Sequence, residues 1–138
     1  MADTDTDTVP VTFTVRARVS KKTLWEVFVT ALEGGIGYWS VCTKYRWALP
    51  DGSEDLDGFH AVIEETESGE DRPPVHRIDA KVILRGLQRL AAPGDGYRDV
   101  RAVARAILAG DEDATCDCDA EVADCIVQSG LFGDVVYG

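Results

Sequence analysis

The chain has little that would name its chemistry. It holds two histidines, His60 and His76, and neither sits in a local pattern that pairs a base with a thiol or hydroxyl. Basic residues are outnumbered: 14 Lys and Arg against 25 Asp and Glu give a formal net charge of -11. That deficit excludes unspecific binding to nucleic acid, whose phosphates need Lys and Arg. No apolar run approaches the roughly 18 residues of a membrane helix. No basic region followed by a hydrophobic segment marks a signal peptide. The glycines of Gly34-Gly35-Ile36-Gly37 lack the Gly-Lys-Ser/Thr ending of a phosphate loop and follow a helix instead of opening one. The Asp-rich stretches lack the spacing of a calcium loop.

What is present describes one α+β domain, a small antiparallel sheet packed against about four helices. Residues 1–9, with their Asp-Thr repeat, read as a disordered acidic tail, and residues 10–138 as the globular domain. Val11, Phe13, Val15, Ala17 and Val19 alternate with polar residues and predict a strand. Ser20 reads as the N-cap of a helix that Gly34 and Gly35 end with a left-handed cap. Residues 38–47 and 59–65 read as a hairpin with a long acidic tip, and residues 66–74 as a loop. Helices follow over 79–91, 97–109 and 120–129, the last ended by Gly130, and 135–137 reads as a short final strand.

Four cysteines, Cys42, Cys116, Cys118 and Cys125, do not form a convincing disulfide ladder, which suits a reduced, cytoplasmic protein. The one-residue spacing of Cys116 and Cys118 departs from structural zinc sites, so no metal is assigned. Cys125 reads as a small core residue, and Cys116 and Cys118 as loop thiols.

The aromatics concentrate. Tyr38, Trp39, Tyr45 and Trp47 lie in one short stretch. In an unbroken strand Trp39, Tyr45 and Trp47 share a face, with Tyr38, Lys44 and Arg46 on the other. Three aromatics on one face either pack against the helices or stack a flat ligand ring. Arg85 and Arg89, with Lys81, line one helix face, and Arg98, Arg101 and Arg105 another. These are solvated faces or, together, an anion groove.

The segment Thr30-Ala31-Leu32-Glu33-Gly34-Gly35-Ile36-Gly37-Tyr38-Trp39 resembles one that recurs in small proteins encoded by tailed bacteriophages. So do the helix Asp79 to Leu90, with Arg85-Gly86-Leu87-Gln88, and the ending Ala123-Asp124-Cys125-Ile126-Val127-Gln128-Ser129-Gly130-Leu131-Phe132-Gly133-Asp134-Val135-Val136-Tyr137-Gly138. Where such proteins more often carry a polar residue, this chain has Gly37. The resemblance implies an accessory protein of the host cytoplasm that counters host defence, and it carries over no catalytic residue. Two expectations follow. One is a non-enzymatic module that sequesters a small nucleotide-derived signal, with Glu33, Tyr38, Trp39, Tyr45, Trp47, Arg85 and Gln128 as its site and no cofactor. The other is an acidic mimic of nucleic acid that occupies a basic host protein. Neither reading involves direct nucleic-acid binding or a membrane. The apolar ending, Leu131 to Tyr137, must be buried somewhere, which suggests a homo-oligomer or packing within the monomer.

Overall fold

Ser20 opens the first helix, α1 (Lys21–Thr30), by accepting the Thr23 amide proton on its hydroxyl oxygen at 3.1 Å. Its core stripe is Leu24, Val27 and Phe28. The computed structural model describes residues 7–12, 14 and 16–138. Most of the expected disordered tail, residues 1–6, lies outside them, as do Phe13 and Val15 of the expected first strand. The described residues of 11–19 form no strand, and only Val19 is half-buried.

The strands are β1 (Ser40–Arg46), β2 (His60–Glu65) and β3 (Val75–Asp79), an antiparallel sheet in the order β1-β2-β3. The architecture is therefore α+β, with a three-stranded sheet and four principal helices. The hairpin of β1 and β2 is as expected. β3 is an addition, hidden in the sequence by Pro73, Pro74 and a mixed charge pattern. Its last residue, Asp79, caps α2 (Ala80–Ala91) by accepting the Val82 amide proton at 3.2 Å. Next come α3 (Arg98–Leu108), a 3-10 turn (Glu112–Asp117) and α4 (Ala120–Phe132).

The helices cover one face of the sheet, where Ala61, Ile63 and Ile78 are fully buried. α2 and α4 touch backbone to backbone. A Cβ on Gly86 would stand 1.9 Å from the Ile126 carbonyl oxygen, and one on Gly130 2.1 Å from that of Val82. Gly130 is thus a crossing point inside α4 and not its end. The helix runs to Phe132, and Gly133, at φ 86°, supplies the left-handed cap. Gly34 and Gly35 also serve differently from the expectation. They belong to a π-helical turn (Ala31–Gly35) and have no positive φ. Gly35 lets that turn approach the start of α4, since a Cβ there would lie 2.8 Å from the Ala120 carbonyl oxygen. The chain end, 135–137, is not a strand, because a side chain takes its amide protons.

Candidate functional site

That side chain is Gln128, fully buried on α4. Its Oε1 accepts the backbone N–H of Val136 at 2.8 Å and of Tyr137 at 2.7 Å. Its Nε2 donates to Asp124 Oδ1 at 2.8 Å and reaches the Tyr137 carbonyl at 3.2 Å and the Tyr38 hydroxyl at 3.3 Å. Asp124, one turn earlier, is buried without a cation. Three neutral donors serve it instead: Gln128, the Trp39 indole N–H at 2.8 Å, and the Tyr38 hydroxyl at 2.6 Å. Burial and this hydrogen bond push the Tyr38 phenol up to about 12. Trp39 has no exposed surface; Tyr137 stacks on it with centroids 5.2 Å apart, and Phe132 meets its edge at 5.6 Å. Tyr38, Trp39 and Gln128, expected at a ligand site, are brought together, but as a clasp that fastens the chain end to α4.

Glu65 extends the clasp. The Tyr137 hydroxyl donates to its Oε1 at 2.5 Å, and His76 Nε2 lies 2.6 Å from its Oε2. Burial raises the Glu65 pKa, but those two hydrogen bonds and the His76 charge outweigh it, and the carboxyl ends below its ordinary value. The same bond to Glu65, aided by desolvation, pushes the Tyr137 phenol up to about 12.

Arg85 stands apart from the other expected site residues. Its guanidinium donates to the Gly130 carbonyl at 3.1 Å, and Arg89 donates to that of Ser129 at 2.6 Å. Arg101 serves the Leu90 and Ala92 carbonyls at 3.3 and 3.1 Å, and Arg105 that of Ala91 at 3.0 Å. The expected basic stripes thus supply donors to the carbonyl ends of α4 and α2, where positive charge is favoured. Among the described residues no group of three or more His, Cys, Asp or Glu could hold a metal ion. Cys118 is a core residue and not a loop thiol; burial and Asp119 push it up to about 12. Cys125 is in the core as expected, pushed up to about 11 by burial and nearby acids.

The remaining expected residues, Glu33, Tyr45 and Trp47, meet in an open groove of about 500 Å³ between α1 and β1. Its other walls are Trp25, Val29, Leu32 and Cys42. The groove exists because β1 is an edge strand that the helices leave uncovered. A β-bulge aims its side chains. Cys42 pairs with Ile63 but Lys44 with Val62, so Thr43 is an extra residue. Tyr45 thereby opposes Ala61 and joins Cys42 on the helix side. Without the bulge it would point to the open face. The unbroken alternation expected from the sequence therefore fails: Trp39 enters the core before the strand begins, and Tyr45 and Trp47 turn to the groove. The Trp25 indole N–H donates to the Trp47 carbonyl at 2.8 Å, and the two rings lie 6.4 Å apart at 44°.

The helix wall was missed in the sequence, yet it had a signal. Trp25, Val29 and Leu32 follow i, i+4, i+7 spacing beside the core stripe of Leu24, Val27 and Phe28, a second apolar stripe that packs in part against the core and in part faces the groove. No protein-family model matches the chain, and no curated protein or solved structure matches it either.

Proposed function

We propose that the groove between α1 and β1 binds a flat, nucleobase-like ring, and that the protein is a non-enzymatic module that sequesters a small nucleotide-derived signal. The observation that carries this reading is the groove wall itself. Trp25, Tyr45 and Trp47 offer ring faces and edges, and Glu33 is its only carboxylate, an acceptor for the N–H edge of a base. Trp47 and Tyr45 are 46% and 60% exposed, an unusual loss of apolar burial for a chain this small. Stacking a base on such a ring contributes about 1–3 kcal/mol. The groove walls include no histidine, lysine or arginine to serve acid–base chemistry. The resemblance to small phage proteins supplies the setting, a host-defence signal as the ligand.

The acidic-mimic reading has less support, because carboxylates of the hairpin tip and of the helix starts are engaged within the fold. Asp57 pairs with Lys21, Glu54 with Lys22 and Asp55 with Arg46. Asp111, Asp119 and Asp79 cap turns or helices, and Asp124 and Glu65 are buried. The apolar ending packs on the chain's own core, so it gives no reason to invoke an oligomer.

Thermal unfolding and tryptophan fluorescence against a panel of nucleosides and nucleotides test the proposal. A ligand at a hundred times its Kd adds about 2.7 kcal/mol and raises Tm by several degrees. Trp47→Ala is expected to abolish that rise while the unliganded protein stays folded. A panel without any rise or quenching overturns the reading.

A further inference from the structure

The carboxylate at the centre of the clasp also borders open space. Asp124 forms part of the wall of a cavity of about 320 Å³, together with Glu121, Tyr38, Tyr97 and Tyr137. That volume lies at the lower end of the range for small-molecule sites. The cavity shares no wall residue with the groove between α1 and β1.

Its charge is negative throughout. Among the described residues no Lys, Arg or His lines it. Asp124 is only 5% exposed and joins no ion pair among the described residues. Its Oδ1 accepts two hydrogen bonds, from Trp39 and Gln128, whereas Oδ2 accepts only that of Tyr38. A carboxylate oxygen has two lone pairs, so Oδ2 keeps one free. Buried charges are ordinarily paired with a charge of opposite sign, and here the fold supplies dipoles without a cation. Glu121, one turn earlier on α4, is exposed and has no hydrogen-bond or ion-pair partner among the described residues. The Cys125 thiol in the same wall is pushed up to about 11 by burial and then by the charges of Asp124, Glu121 and Asp119. The positive end of α4 does not reverse the sign, because the Asp119 carboxylate caps it.

The other walls are aromatic. Tyr38 and Tyr97 are both exposed at the cavity. Tyr97 is placed there by a left-handed backbone, φ 51°, at the start of α3. Phenol faces attract cations, best where a carboxylate stands nearby to hold the charge. The carboxylates are too few for a metal ion. We infer that the cavity binds the alkylammonium group of a small organic molecule, seated against Tyr38 and Tyr97 with its charge toward Asp124 and Glu121.

The test titrates the whole protein with methylammonium and tetramethylammonium chlorides, followed by calorimetry and nuclear magnetic resonance. Potassium chloride and tert-butanol, a neutral molecule shaped like tetramethylammonium, are the controls. The Gln128 side-chain amide and the Trp39 indole N–H both bond Asp124 Oδ1, so their resonances report on the site. Both ammonium ions are expected to shift these resonances saturably, and neither control is. Glu121→Gln and Tyr97→Ala are each expected to weaken binding about threefold or more, and Tyr97→Phe to leave it unchanged. Both positions are exposed, so the variants keep the fold. Equal shifts with potassium, or with tert-butanol, overturn the inference. So does the absence of any saturable shift, or an affinity that neither Glu121→Gln nor Tyr97→Ala changes.

Discussion

Asp124 is a buried carboxylate served only by neutral donors, which come from two distant parts of the chain: Tyr38 and Trp39 from the turn after α1, and Gln128 from α4 itself. Gln128 spends both ends of its amide, so truncating it strands several groups at once. Gln128→Ala leaves the Val136 and Tyr137 amide protons unpaired and removes a donor to Asp124. An unsatisfied buried group costs about 1–3 kcal/mol, so a loss near 3 kcal/mol is expected. Denaturant unfolding measures that loss, and hydrogen exchange should report faster exchange at Val136 and Tyr137 than in α2. A loss below about 1 kcal/mol with protected amides would show that the chain end is held by apolar contacts alone.

Between elements, the decisive features are a close approach and a bulge. α2 and α4 cross where Gly86 and Gly130 leave no room for a methyl group. Alanine improves helix propensity by about 1 kcal/mol. Overpacking a tight contact costs about 1–3 kcal/mol and occasionally more. With backbone oxygen as the obstacle, the clash wins, so Gly86→Ala is expected to destabilise by about 2 kcal/mol or more; a Tm at or above that of the parent would refute the crossing geometry. In β1, deleting Thr43 restores unbroken alternation and turns Tyr45 and Trp47 to the open face. The variant should keep its far-ultraviolet dichroism and lose ring binding in the groove. Retained binding would mean that the bulge does not set the site.

For the whole molecule, stability is expected to fall at both ends of the pH scale through one structure, the fastened chain end. Glu65 titrates below its ordinary value in the fold. Its contribution is therefore complete above the unfolded carboxyl pKa, about 4.3, and is lost as pH falls through the lowered folded value. Tyr38 and Tyr137 move the other way, to about 12. Their contribution is complete below the unfolded phenol pKa, about 10, and is lost as pH rises through 12. Phenolate absorbance should show two of the four tyrosines titrating late, together with a change in Trp39 emission. Four tyrosines titrating together near the ordinary value would dissolve this account. Among the described residues no helix is long and apolar enough to cross a membrane.

The amino-acid sequence by itself determined what local physics can determine. Ser20 announced a helix start, helical patterning placed four helices, and alternation placed the β1–β2 hairpin. Of the seven site residues it singled out, Glu33, Tyr45 and Trp47 share the groove and Tyr38, Trp39 and Gln128 share the clasp. Tertiary structure decided the rest, because the deciding partners are distant in sequence. Trp39 became core because Asp124 and Tyr137, 85 and 98 positions away, close over it. The arginine stripes became caps because the carbonyl ends of α4 and α2 lie beside them. The glycines that looked like helix stops became contact points because another backbone passes within van der Waals distance. One extra residue, Thr43, turned two aromatics toward a groove, and nothing in a period of two can announce where that period slips.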